Sequence, residues 1–98
     1  MNAKQKLAIY QDMMHGPHKI TDRYAFDDSA IAYSVALFGN GYRIAVTKTV
    51  HTNEKRAMGI DYDMRIIDNS TGHRFSDHNT HAARIIFNAA VHAKGKSK

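Results

Sequence analysis

Seven histidines in 98 residues put imidazole first among the groups that could do chemistry, since it titrates near neutral pH and ligates metals readily. Three of them, His73, His78 and His81, cluster around Asp77. If a helix begins near residue 76, His78 and His81 stand three apart on one face, and Asp77 or His73 completes a three- or four-ligand set. The plainer reading, exposed imidazoles at a helix start, is favoured, because no second ligand pair elsewhere has a metal-site spacing. Asp61 and Asp63 would share one face of a strand as a carboxylate pair, but solvated residues alternating on an open sheet face account for them better. There is no glycine-rich phosphate loop followed by Lys-Ser or Lys-Thr, and no His-Glu-x-x-His. The chain is therefore expected to be non-enzymatic, with no cofactor and no committed metal site.

The elements that would position these groups begin with a helix over residues 2–14. Ala3, Leu7, Tyr10, Met13 and Met14 approximate a helical stripe, and Gly16-Pro17 ends it. Residues 18–29 carry no clear signal beyond a possible short strand at Tyr24-Ala25-Phe26. The strongest local signal is Asn40-Gly41, a dipeptide suited to a two-residue hairpin turn. A turn there pairs Leu37 with Ile44, Val35 with Val46, Tyr33 with Lys48 and Ile31 with Val50 on one face. The other face pairs Phe38 with Arg43, Ala36 with Ala45, Ser34 with Thr47 and Ala32 with Thr49. A slip by one residue would destroy this agreement. The competing reading of residues 30–38 is a helix capped by Ser29 and stopped by Gly39.

A third strand is expected over residues 57–67, where Met58, Ile60, Tyr62, Met64 and Ile66 alternate with polar residues and glycine. The turn-forming run 68–72 leads to a possible short fourth strand at His73-Arg74-Phe75. A last helix is expected from Ser76 or Asp77, either a good cap, with Ala82, Ile85, Ile86, Ala89, Ala90 and Ala93 as its apolar stripe and Gly95 as its end. The fold class expected is α+β: a three- to four-stranded antiparallel meander with an N-terminal and a C-terminal helix on one face, in the order α-β-β-β-(β)-α. Residues 1–98 form one domain, with residues 94–98 a flexible basic tail.

The net charge of +5 is concentrated at the ends. Lys4 and Lys6 stand near the start, and Lys94, Lys96 and Lys98 near the finish. Residues 7–93 hold nine basic and nine acidic side chains, so a basic face on the body itself, the usual footprint of a phosphate-tracking domain, is not expected. The absence of cysteine suits a reducing compartment. No apolar run follows Met1-Asn2-Ala3-Lys4-Gln5-Lys6 that could serve as a signal, and none approaches membrane-spanning length. A cytoplasmic location and no membrane partner are expected.

The α-β-β-β-α order, the alanine-rich segment 81–90 and the tripeptide Gly16-Pro17-His18 resemble the double-stranded-RNA-binding domain. That resemblance implies a nucleic-acid-binding module. The family's lysine cluster at the start of the last helix is replaced here by Asp77, His78, Asn79, Thr80 and His81, and Gly16-Pro17-His18 precedes the first clear strand instead of lying between strands. In size, lack of cysteine and lack of catalytic motifs the chain also resembles the small phage proteins that block host defence, anti-CRISPR proteins among them, which act by docking.

These readings favour a binding protein that docks on a protein or nucleoprotein assembly, with a phage-type inhibitor as the sharpest version. Phe38, Arg43, Ala36 and Ala45 on the smooth hairpin face, with Lys55 and Arg56 in the polar loop that follows, are the expected contacts. The alternative is a nucleic-acid binder led by Lys4, Lys6, Arg84, Lys94, Lys96 and Lys98. A small metal-dependent enzyme built on the histidine cluster is a third reading.

Overall fold

The computed structural model describes residues 2–26, 30–51, 59–78 and 80–96. Helix α1 (Ala3–His15) precedes strands β1 (His18–Phe26), β2 (Ala30–Gly39), β3 (Tyr42–His51), β4 (Ile60–Asp68) and β5 (Arg74–His78), and helix α2 (His81–Lys96) follows them. The five strands form one antiparallel meander in chain order. The fold is thus α+β as expected, with five strands where three to four were foreseen. The two additional strands also remove the α-β-β-β-α order that carried the resemblance to the double-stranded-RNA-binding domain.

The hairpin at Asn40-Gly41 has the expected register at every pair from Ile31↔Val50 to Gly39↔Tyr42. Asn40 and Gly41 both take positive φ, 47° and 81°, as the favoured two-residue hairpin turn requires. The strand therefore wins over the competing helix for residues 30–38. The Asn40 side chain also donates from Nδ2 to the carbonyl of Asp12, tying the turn to the end of α1. Gly16 leaves room for this contact, since a Cβ there would lie 2.7 Å from Asn40 Oδ1.

Both helices lie on the face that carries Val35, Leu37, Ile44, Val46, Met64 and Ile66. These six pack with Met13 of α1 and with Ala82, Ala83, Ile86, Phe87 and Ala90 of α2 in one buried cluster. Each large aliphatic side chain removed from water here contributes about 1.5–3 kcal/mol. The three buried alanines let the α2 backbone approach the sheet closely. The shortest molecular dimension is 20 Å, the thickness of one sheet layer plus one helix layer.

The ends of the helices differ in part from expectation. α1 begins with a capping box, in which Asn2 Oδ1 accepts from the Gln5 amide and Gln5 Oε1 accepts from the Asn2 amide, both at 2.9 Å. α2 starts at His81, not at Ser76 or Asp77. Those two residues have suitable cap chemistry, but they pair in the sheet with Arg65 and Met64, and Thr80 Oγ1 accepts from the Ala83 amide at 2.9 Å instead. Gly95 falls inside the last turn of α2, which runs to Lys96, so Lys94 belongs to the helix and not to a tail.

Candidate functional site

Among the described residues no helix packs on the second face of the sheet. Cross-strand pairing lays its side chains out in rows that run from β1 to β5. The row nearest the Asn40-Gly41 turn is Lys19, Phe38, Arg43, Ile67 and Arg74. The next is Thr21, Ala36, Ala45, Arg65 and Ser76. The third is Arg23, Ser34, Thr47, Asp63 and His78, and the fourth is Ala25, Ala32, Thr49 and Asp61. The pairs expected from the hairpin are all here: Phe38 stands beside Arg43, and Ala36 beside Ala45.

The charge on this face is sorted. Lys19, Arg23, Arg43, Arg65 and Arg74 are all exposed, which places five of the nine basic side chains of residues 7–93 on one surface. Both carboxylates on the face, Asp63 and Asp61, sit in the third and fourth rows. A neutral body therefore still carries a sheet face with five cations and two carboxylates among the described residues, which corrects the expectation that no such face exists. Asp22 and Asp77 point to the helix side, and Asp68 ends β4 at the turn to β5.

At the basic end, Phe38 keeps 36% of its surface exposed, and the Arg43 guanidinium carbon lies 5.4 Å from its ring centroid. That contact holds ring and cation together at the surface. Thr21, Arg23, Ala36, Phe38, Arg43 and Ala45 border a shallow hollow of about 250 Å³. In the third row, the Ser34 and Thr47 hydroxyls bond each other at 3.0 Å. At the acidic end, His51 Nε2 and Asp61 Oδ2 are 2.6 Å apart and half-buried. His51 is the last residue of β3 and is held by this contact.

The other sequence candidates scatter. Lys6 is 4% exposed and its ammonium pairs with the Asp77 carboxylate, so it is committed to the join between α1 and β5 and is withdrawn from nucleic-acid contact. Burial pushes the Lys6 amine below its ordinary pKa. Lys4 is exposed on α1, and Arg84 is exposed on α2, where its guanidinium meets His81 Nδ1 at 3.3 Å. Lys94 bonds Asp22 at 2.5 Å. Lys96 is the last residue of α2, and Lys98, Lys55 and Arg56 lie outside the described residues. Among the described residues, Lys4, Lys6, Arg84 and Lys94 belong to the helices and not to the open face.

The histidine cluster does not converge. Asp77 and His78 are consecutive in β5 and therefore point to opposite faces, Asp77 towards Lys6 and His78 towards the open face. His73 precedes β5 and packs its ring on Phe75, with centroids 4.4 Å apart. His81 opens α2. The shared face expected for His78 and His81 required both to be helical, and the β4–β5 ladder prevents that. No group of three or more potential ligands that could hold a metal occurs among the described residues.

Sequence reading missed Lys19, Arg23 and Arg74 as partners of Phe38 and Arg43. The signal that could have found them is alternation in β1: once residues 18–26 are a strand paired with β2, Lys19, Thr21, Arg23 and Ala25 must share the smooth face. Comparison with family models, with curated protein sequences and with solved structures returned no match. Among the described residues no helix is long and apolar enough to cross a membrane.

Proposed function

We propose that the protein is a non-enzymatic binding protein that docks on a macromolecular partner through the uncovered sheet face. The observation that carries this reading is the packing of both helices on one face while the other keeps Phe38, Arg43, Ala36 and Ala45 together at the surface. A face of small residues around one exposed aromatic is suited to close approach by a partner, and the hollow beside Phe38 gives that approach a fixed position. An inhibitor of phage type, or any protein that acts by occupying a site on an assembly, would work this way.

Affinity capture from the native host lysate, followed by mass spectrometry, tests the reading. Wild-type protein is expected to retain a partner that the Ala36→Glu variant, folded to the same extent by circular dichroism, loses. Retention of the same partner by Ala36→Glu and by Ala45→Glu would remove the open face from consideration.

A further inference from the structure

We infer that the partner of the open face is a single-stranded nucleic acid, which rests on the docking reading of that face and names its occupant. Among the described residues five cations and two carboxylates share the face, and neither carboxylate lies in the two rows that hold Phe38, Ala36 and Ala45. Such a surface complements a polyanion, and each phosphate it neutralises releases counterions. Three of the five cations follow a line, and Arg65 and Arg23 stand one and two rows behind it. Lys19, Arg43 and Arg74 stand on the first, third and fifth strands of one row, which at about 4.8 Å per strand spans about 19 Å.

Three features favour an unpaired strand over other polyanions. Phe38 offers a partly exposed ring with the Arg43 guanidinium over it, and both aromatic rings and guanidinium planes are surfaces on which splayed bases stack. The neighbouring row is short-chained at Thr21, Ala36, Ala45 and Ser76, with Arg65 its one long side chain, so bases and sugars can lie down over Ala36 and Ala45 beside a cation, with hydroxyls at both margins. The face is a sheet surface with no helix or ribbon projecting from its described part to enter a duplex groove. A carboxylate-rich protein surface would neutralise the cations but would leave the exposed phenyl ring without a stacking partner.

The direct test is fluorescence anisotropy with labelled oligo(U) and oligo(dT) of roughly 15 nucleotides, at 50 and 200 mM salt. Binding to either is expected at the lower salt. It should weaken roughly 50-fold at the higher, the loss that neutralising about four phosphates of a single strand implies. Arg43→Ala and Arg65→Ala should each reduce the salt slope by about 0.7. Phe38→Ala should weaken binding roughly 5- to 100-fold with the slope intact, and Phe38→Tyr should preserve it. Arg84→Ala, on the helix side, should change neither quantity. Equal urea midpoints across the variants keep folding out of the comparison.

Absence of binding to both oligonucleotides at 50 mM salt would overturn the inference. So would binding that Arg84→Ala weakens while Arg43→Ala and Phe38→Ala leave it unchanged. If neither oligonucleotide binds but Ala36→Glu still abolishes partner capture, the docking face stands and its occupant is an acidic protein. If capture too is indifferent to Ala36→Glu, the docking reading itself falls.

Discussion

The ammonium of Lys6 is buried against the carboxylate of Asp77, joining the first turn and a half of α1 to the edge strand β5. This one pair withdraws a cation from the candidate nucleic-acid set and a carboxylate from the candidate metal set. Removing one partner of a buried pair leaves the other charged and unsolvated, which costs more than the pair itself contributes. Lys6→Met should therefore destabilise the fold by about 2–3 kcal/mol, below the range for fully buried pairs because the Asp77 side chain is 27% exposed. The double variant Lys6→Met/Asp77→Leu should recover most of that loss. Urea midpoints at constant slope measure both, and a double variant as weak as the single would contradict this account.

The hairpin turn serves two structures at once, so its residues should be unusually sensitive. Gly41→Ala must place a Cβ at φ 81°, costing about 1–2 kcal/mol. Asn40→Ala loses the bond to the Asp12 carbonyl as well as a residue tolerant of positive φ, and about 1–2 kcal/mol is expected again. Thermal melts should fall for both, and amide exchange near the C-terminal end of α1 should quicken for Asn40→Ala and not for Gly41→Ala.

Ala82, Ala83 and Ala90 are each 0% exposed beneath α2. Their size sets the distance between helix and sheet, so enlarging one forces the layers apart. Ala90→Leu should cost about 1–3 kcal/mol, whereas the same change at half-buried Ala89 should cost less. Denaturant midpoints distinguish the two, and equal effects would count against close packing at Ala90.

The Asp68 carboxylate is held below its ordinary pKa, first by the Ser70 hydroxyl, which donates to Oδ1 at 2.7 Å, and then by the Ser70 amide at 3.0 Å. A carboxyl depressed in the folded state stabilises the fold above the unfolded pKa and loses that contribution as pH falls through the folded value. The wild type should therefore exceed Ser70→Ala in melting temperature at neutral pH, with the gap closing below pH 3.8. A gap that stays constant to low pH would show that the hydroxyl acts independently of ionisation.

Much of this arrangement is legible in the sequence because two independent signals agree at its centre. Asn40-Gly41 sets a turn, and the apolar alternation on both sides of it admits one register. β1 is different. Ile20 and Tyr24 fall on the core-side positions, but Asp22 breaks their alternation, and it does so because an edge strand tolerates a charge that a helix cation can meet, here Lys94. β5 was half visible at His73-Arg74-Phe75 and was cut short by good helix caps at Ser76 and Asp77, whose backbone the β4 ladder claims. The basic face is hidden with these two strands: Arg43 is visible on the hairpin, but Lys19, Arg23 and Arg74 join it only when β1 and β5 are in place.

The central claim is that the uncovered face of the sheet is where the protein meets its partner. Alanine methyl groups report on it directly, since Ala36 and Ala45 lie on that face while Ala82 and Ala90 lie beneath α2. In a methyl NMR titration with the partner recovered by capture, the Ala36 and Ala45 resonances should shift or broaden on binding and those of Ala82 and Ala90 should stay in place. Shifts at Ala82 and Ala90 with Ala36 and Ala45 unmoved would put the contact on the helices and contradict the account.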